Sequence, residues 1–124
     1  MNKRKKQVLA SAMLGVLLLG NIAHGMSTQA AISIVPSQHT VASESVGVSK
    51  NAKYWAYNTP SSSRNLTMKS YACWIGWPYS CENSKELDPS GAYEYIESQS
   101  KDSAFYISLI GYYACYGSGN VTIQ

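Results

Sequence analysis

From residue 51 to the C-terminus the chain reads mainly as short strands punctuated by turns, and parts of it alternate apolar and polar positions with the period of a strand that buries one face. From Leu66 the alternation sets Leu66, Met68 and Ser70 against Thr67, Lys69 and Tyr71, until Gly76 and Pro78 break it. Residues 53–57 (KYWAY) are β-prone and are closed by the loop signal Asn58-Thr59-Pro60-Ser61-Ser62-Ser63. Residues 92–97 place Ala92, Glu94 and Ile96 opposite Tyr93, Tyr95 and Glu97, and an acid-rich helix capped by Asp88 or Ser90 competes with that strand. Asp88-Pro89-Ser90-Gly91 before it reads as a turn. Residues 103–116 form the most apolar stretch, with Gly111 placed to bend or bulge a long strand, and residues 120–124 make a short last one. The pattern predicts a mainly β fold, a small single-domain antiparallel sandwich or barrel-like unit with at most one short helix.

The first fifty residues have a different pattern. Lys3, Arg4, Lys5 and Lys6 precede a 13-residue apolar run over 8–20 that only Ser11 interrupts. This is the layout of a secretory signal peptide, and the run is shorter than the roughly 20 residues that span a bilayer. The expected product is secreted and extracellular, with no retained membrane span. Small side chains at the recognition positions allow cleavage after Gly25, or as late as Ala30. Residues 26–50 hold no aromatic and are rich in Ser, Thr, Ala and Val. They are expected to form a spacer or pro-segment, with Ile32-Ser33-Ile34-Val35 before Pro36 as the one edge-strand candidate. The organisation is then 1–25 leader, 26–50 spacer and 51–124 aromatic-rich β domain.

Cleavage changes the charge account. The whole chain carries +3, but losing the leader leaves six basic residues against seven acids, close to −1. Nucleic-acid binding, which needs clustered Lys and Arg against phosphates, is disfavoured, as is attraction to anionic lipid by charge alone.

Three cysteines fit export but do not pair evenly. A Cys73–Cys81 bridge closes nine residues, worth about 2.6 kcal/mol in the loop-entropy model, and Cys73–Cys115 closes 43, worth about 4.0 kcal/mol. Chain proximity favours the first, and Cys115 is then either a small buried core residue or the link of a disulfide-bonded dimer. There is no C-x-x-C, no phosphate-binding glycine motif and no zinc-ligand spacing, so no metal or cofactor is expected. His39 is the one imidazole after cleavage, and the carboxylates Glu82, Glu86, Asp88, Glu94 and Glu97 read as surface charge around turns rather than as a catalytic pair. A non-enzymatic role follows.

The aromatics carry the functional signal. Ten Tyr stand against one Phe, and all fourteen rings lie between Tyr54 and Tyr116. Tyr and Trp suit half-wet positions where a flat apolar face meets a ligand and the OH or NH reaches a polar atom. The expected contact surface is Trp74, Trp77 and Tyr79 on a stapled loop, with Tyr54, Trp55 and Tyr57 as second choice. Three functions fit, in this order: a bacteriocin-like antimicrobial, a carbohydrate- or cell-wall-binding module, and a secreted inhibitor or adhesion protein. The partner is then a target cell surface, a polysaccharide or a secreted protein.

Overall fold

A computed structural model describes residues 26–124, and the leader lies outside them. Strand alternation dominates throughout. The chain forms β1 (Gln29–Ile34), β2 (Thr40–Ala42), β3 (Val46–Asn58), β4 (Leu66–Trp74), β5 (Ser80–Leu87), β6 (Ala92–Ile110) and β7 (Gly117–Ile123). All strands pair antiparallel in the order β1-β7-β3-β6-β4-β5, with β2 also on β6, and the sheet does not close. No helix occurs among the described residues, so the alternative drawn for 92–97 falls to the strand.

β6 turns this one sheet into two layers. Its first part pairs with β3, from Tyr57↔Ala92 to Asn51↔Ser98, and its second part pairs with β4, from Trp74↔Ser103 to Thr67↔Ile110, and at its beginning with the start of β3, from Ser49↔Ser103 to Val46↔Phe105. Between them β3 shifts register at Ser49 and Asn51, which leaves residues 99–102 of β6 without a β3 partner. The strand bends there and passes from one layer to the other. One layer is β1, β7, β3 and the first part of β6, and the facing layer is β2, the second part of β6, β4 and β5.

The core lies between the layers. Ala52, Tyr54 and Ala56 from β3 and Val121 from β7 meet Leu66 and Met68 from β4 and Phe105, Ile107 and Leu109 from β6. The Tyr54 hydroxyl crosses the gap and donates to the Tyr71 carbonyl at 2.7 Å. The layers approach so closely at β7 that a Cβ on Gly117 would sit 2.7 Å from Leu66 Cδ2, and one on Gly119 would sit 3.1 Å from Ile107 Cδ1. Only glycine fits at Gly117, because a Cβ there would also lie 2.9 Å from the Tyr57 carbonyl oxygen of the paired strand.

Four expectations change. Residues 26–50 are not a spacer but carry β1, β2 and the start of β3, with Ile34 and Val46 fully buried in the core. Few apolar residues were needed because β1 is an edge strand with one buried face: Ala30, Ile32 and Ile34 point inward while Ala31 and Ser33 stay exposed. The strand through 103–116 ends at Ile110, and Gly111 opens a tight connection rather than a bulge. β5, written SCENSKEL, was not foreseen. It is an edge strand whose one buried side chain is Leu87, and its charges discourage pairing with another chain.

The cysteines are the fourth change. Cys73, Cys81 and Cys115 are free thiols. Tyr71 stands opposite Cys81 and Ala72 opposite Ser80, so Cys73 and Cys81 are diagonal neighbours on adjacent strands. Such positions lie about 7–8 Å apart, beyond the usual reach of a disulfide. Cys73 is buried with Ala104 under Tyr79, and burial pushes its thiol up from the ordinary value.

Candidate functional site

The trio expected on one loop is split three ways. Trp74 ends β4 on its inward face, where its indole N–H donates to Gln99 Oε1 at 2.9 Å and the Lys101 ammonium covers the ring at 4.7 Å. Tyr79 folds back over the outside of the β4–β6 layer, edge-on to Tyr106 at 4.8 Å and hydrogen-bonded to Ser45 at 2.5 Å. Burial, and then the neighbouring Cys73, hold its phenol well above the usual range. Trp77 alone projects. It is 58 % exposed and meets Trp74 edge-on at 5.9 Å.

The second trio is divided by strand period. Tyr54 points into the core with no exposed surface, whereas Trp55 and Tyr57, each one step away, share the outer face of the same layer. Their rings are nearly parallel, 20° between planes and 6.2 Å between centroids. β3 is the middle strand there, so both rings have flanks on either side. Trp55 stands between Glu94 of β6 and Asn120 of β7, Tyr57 between Ala92 and Ser118, and Lys53 between Ile96 and Thr122. Beyond β7 the face continues through the exposed Ala31 and Ser33 of β1.

The polar groups of this face are available. Among the described residues the side chains of Trp55, Tyr57, Ser118 and Asn120 make no hydrogen bond to another side chain or to the backbone. Lys53 Nζ meets Glu94 Oε2 at 3.2 Å, an exposed pair that contributes little to stability and can reorganise toward a ligand. The result is a platform of two rings with an amide, a hydroxyl, a carboxylate and an ammonium around it.

The polar groups on the inner side of β6 are committed to each other instead. Glu97, 6 % exposed, accepts from the Tyr95 hydroxyl and from Gln99 Nε2, both at 2.5 Å. Tyr93 and Tyr95 are parallel at 6.4 Å, and Asn83 of β5 donates to the Tyr93 hydroxyl at 2.8 Å. This seam ties β5 to the first part of β6. Burial first, then the bond to Glu97, pushes the Tyr95 phenol up. Glu94 and Glu97 lie on opposite faces of β6, so they do not form the carboxylate pair of a glycosidase. No cluster of metal-ligating side chains occurs among the described residues.

Sequence reasoning missed Asn120, Ser118 and Glu94 as neighbours of Trp55 and Tyr57. The alternation marked each strand's outer face, but the register that sets them side by side depends on long-range pairing of β3 with β6 and β7. His39, assigned to a mobile spacer, sits edge-on to Tyr112 at 5.1 Å and Tyr113 at 5.3 Å at one end of the sandwich.

No family model matches the chain, and no curated protein does. Among solved structures, the chain has similarity at a low level to several. PirA is 12 % identical, with a TM-score of 0.49 over 84 % of this chain and all of that one. TmCBM61, solved with β-1,4-galactotriose, is 9 % identical with a TM-score of 0.44, covering 76 % of this chain and 70 % of that one. A structure of disulfide-linked pili from Bacillus endospore appendages is 8 % identical with a TM-score of 0.42, covering 81 % and 92 %. Likenesses at this level carry no assignment of function.

Proposed function

We propose that the chain is an exported, non-catalytic glycan-binding protein whose contact surface is the outer face of β3, centred on Trp55 and Tyr57. The observation that carries this reading is the platform itself: two parallel rings on the central strand of an uncovered face, bordered by unengaged Asn120 and Ser118 and by the exposed Lys53–Glu94 pair. A pyranose ring offers an apolar C–H face and a rim of hydroxyls. Trp and Tyr faces match the first, and an amide, a hydroxyl and a carboxylate match the second. This reading takes precedence over the antimicrobial one because the stapled aromatic loop on which that rested is split, with only Trp77 left projecting.

Export rests on the leader, and the contacts of the first described residues favour the earlier of the two cleavage sites. Met26 packs with Cys73 and Ala104, and the Ser27 carbonyl accepts from Gly47 N at 3.0 Å. Cleavage after Gly25 keeps these contacts. Cleavage after Ala30 would remove them together with the first two residues of β1.

The test is retention of the exported protein on insoluble polysaccharides and peptidoglycan, with growth inhibition of related bacteria scored in parallel. Trp55→Ala and Tyr57→Ala are each expected to weaken retention by about 30-fold, the loss of roughly 2 kcal/mol at a desolvated aromatic. Trp77→Ala is expected to leave it intact. Retention that survives both platform substitutions overturns the assignment, and killing without retention restores the antimicrobial reading.

A further inference from the structure

One end of the sandwich gathers a second set of exposed groups, supplied by three loops. His39 comes from the β1–β2 connection, Arg64 from the β3–β4 loop, and Tyr112, Tyr113 and Tyr116 from the β6–β7 loop. The Arg64 guanidinium lies over the Tyr112 ring at 5.4 Å, and His39 meets both Tyr112 and Tyr113 edge-on. Tyr113 is 65 % exposed, Tyr116 46 % and Tyr112 40 %.

These rings are not exposed because the loops are slack. The His39 carbonyl accepts from both Gly111 N and Tyr112 N, and the Tyr116 carbonyl from Thr59 N and Ser62 Oγ. Ser63 reaches the Ala114 carbonyl through both its N–H and its hydroxyl. Arg64 is anchored by its own carbonyl, which accepts from Asn58 Nδ2 at 3.1 Å and from Cys115 Sγ at 3.3 Å. The backbone also holds two bulky residues in succession in the left-handed region, Tyr112 at φ 55° and Tyr113 at φ 62°. Each costs on the order of 1 kcal/mol or more, and the pair turns both rings outward.

The chemistry of the cluster is specific. Stacking on Tyr112 orients the guanidinium, and among the described residues Arg64 has no carboxylate within ion-pair distance. A planar fork held this way suits a carboxylate, which it can grip with two parallel hydrogen bonds. Tyr113 and Tyr116 supply ring faces beside it. The loop carbonyls of His39, Ala114 and Tyr116 already take two donors each, so this end offers no ladder to an incoming peptide strand. We infer that the His39–Arg64–Tyr112–Tyr113 cluster is a second binding site, for a sugar that carries a carboxylate on its pyranose ring, with Arg64 gripping the acid and Tyr113 stacking on the ring.

The experiment is an NMR titration of the exported protein with methyl glucuronoside and methyl glucoside, which differ at this carboxylate. The uronide is expected to bind more tightly, with shifts at Tyr112 and Tyr113. Arg64→Gln should lower its affinity about tenfold or more, Arg64→Lys should fail to restore it, and Tyr113→Ala should weaken it with an unchanged melting temperature. Trp55→Ala should leave this binding intact, so that loss of the platform reading and loss of this one are separable. Equal affinity for the two glycosides, or unchanged affinity in Arg64→Gln, overturns the proposal. Competition by inorganic phosphate at the uronide's own affinity does so as well, since the site would then be a general anion site.

Discussion

Replacing Ile34 by alanine tests whether the segment before residue 50 belongs to the fold. Ile34 ends β1 with 1 % of its surface exposed and packs into the loop that closes β6 onto β7. Its Cδ1 would lie 3.1 Å from a Cβ placed on Gly111, and its Cγ2 3.5 Å from one on Gly117. Neither glycine has a side chain with which to refill the space, so the cavity left by Ile34→Ala should stay open. Truncations of this kind cost about 2–5 kcal/mol. A domain of about 100 residues loses roughly 4–8 °C per kcal/mol, so the melting temperature should fall by roughly 8–40 °C. Ser33→Ala, one step away on the exposed face, should change stability by less than about 0.5 kcal/mol. Urea melts followed by tryptophan fluorescence read both variants, and the midpoint of Ile34→Ala should drop without a change in slope. An Ile34→Ala midpoint equal to that of Ser33→Ala would refute the reasoning and return residues 26–50 to the status of a spacer.

The alkaline limit of stability follows from the phenols. Burial pushes Tyr54, Tyr79 and Tyr106 above the ordinary tyrosine value, so the unfolded chain ionises first as pH rises. Their contribution is fully present below about pH 10 and is lost as pH climbs toward the folded values, so the urea midpoint should be clearly lower at about pH 11 than at about pH 8. A flat profile would show that these rings are not buried. Thiol accessibility gives another check: native alkylation followed by intact mass should modify the exposed Cys81 alone, while Cys73 and Cys115 should react only after unfolding. Resistance of Cys81 until reduction would show that it is bridged.

The strands most visible in the sequence were those whose two faces differ in chemistry. In residues 53–57 the alternation itself separates Tyr54 from Trp55 and Tyr57, so the three were never able to share a surface, and a stricter reading of the period would have divided them. β1 and β5 were hidden for opposite reasons: β1 lacks aromatics because an edge strand needs only three inward side chains, and β5 is polar at nearly every position because both its edge and its outer face meet water. The 92–97 and 103–110 segments look like two strands with a polar break at Gln99, Ser100, Lys101 and Asp102. They are one strand, bent where it changes layers, and only the register of β3 against both halves reveals it.

The excess of tyrosine over phenylalanine was read as a mark of contact surfaces, and the structure divides it in two. Four hydroxyls tie the sandwich internally: Tyr54 to the Tyr71 carbonyl, Tyr79 to Ser45, Tyr93 to Asn83 and Tyr95 to Glu97. Each joins elements far apart in the chain or secures the edge where the layers part, the work a covalent bridge performs in other small exported domains. A phenylalanine in these places would remove one partner from the Tyr71 carbonyl, the Ser45 hydroxyl, the Asn83 amide or the Glu97 carboxylate. With those four assigned, six remain: Tyr71 and Tyr106, stacked on each other at 4.5 Å, Tyr57 beside Trp55 on the sheet face, and Tyr112, Tyr113 and Tyr116 at the loop end, none of whose hydroxyls bonds another described residue. Apart from the Tyr71–Tyr106 stack, which Tyr79 covers edge-on, the tyrosines whose hydroxyls do no internal work lie on the two surfaces proposed for ligands, and these four should tolerate substitution with little loss of fold.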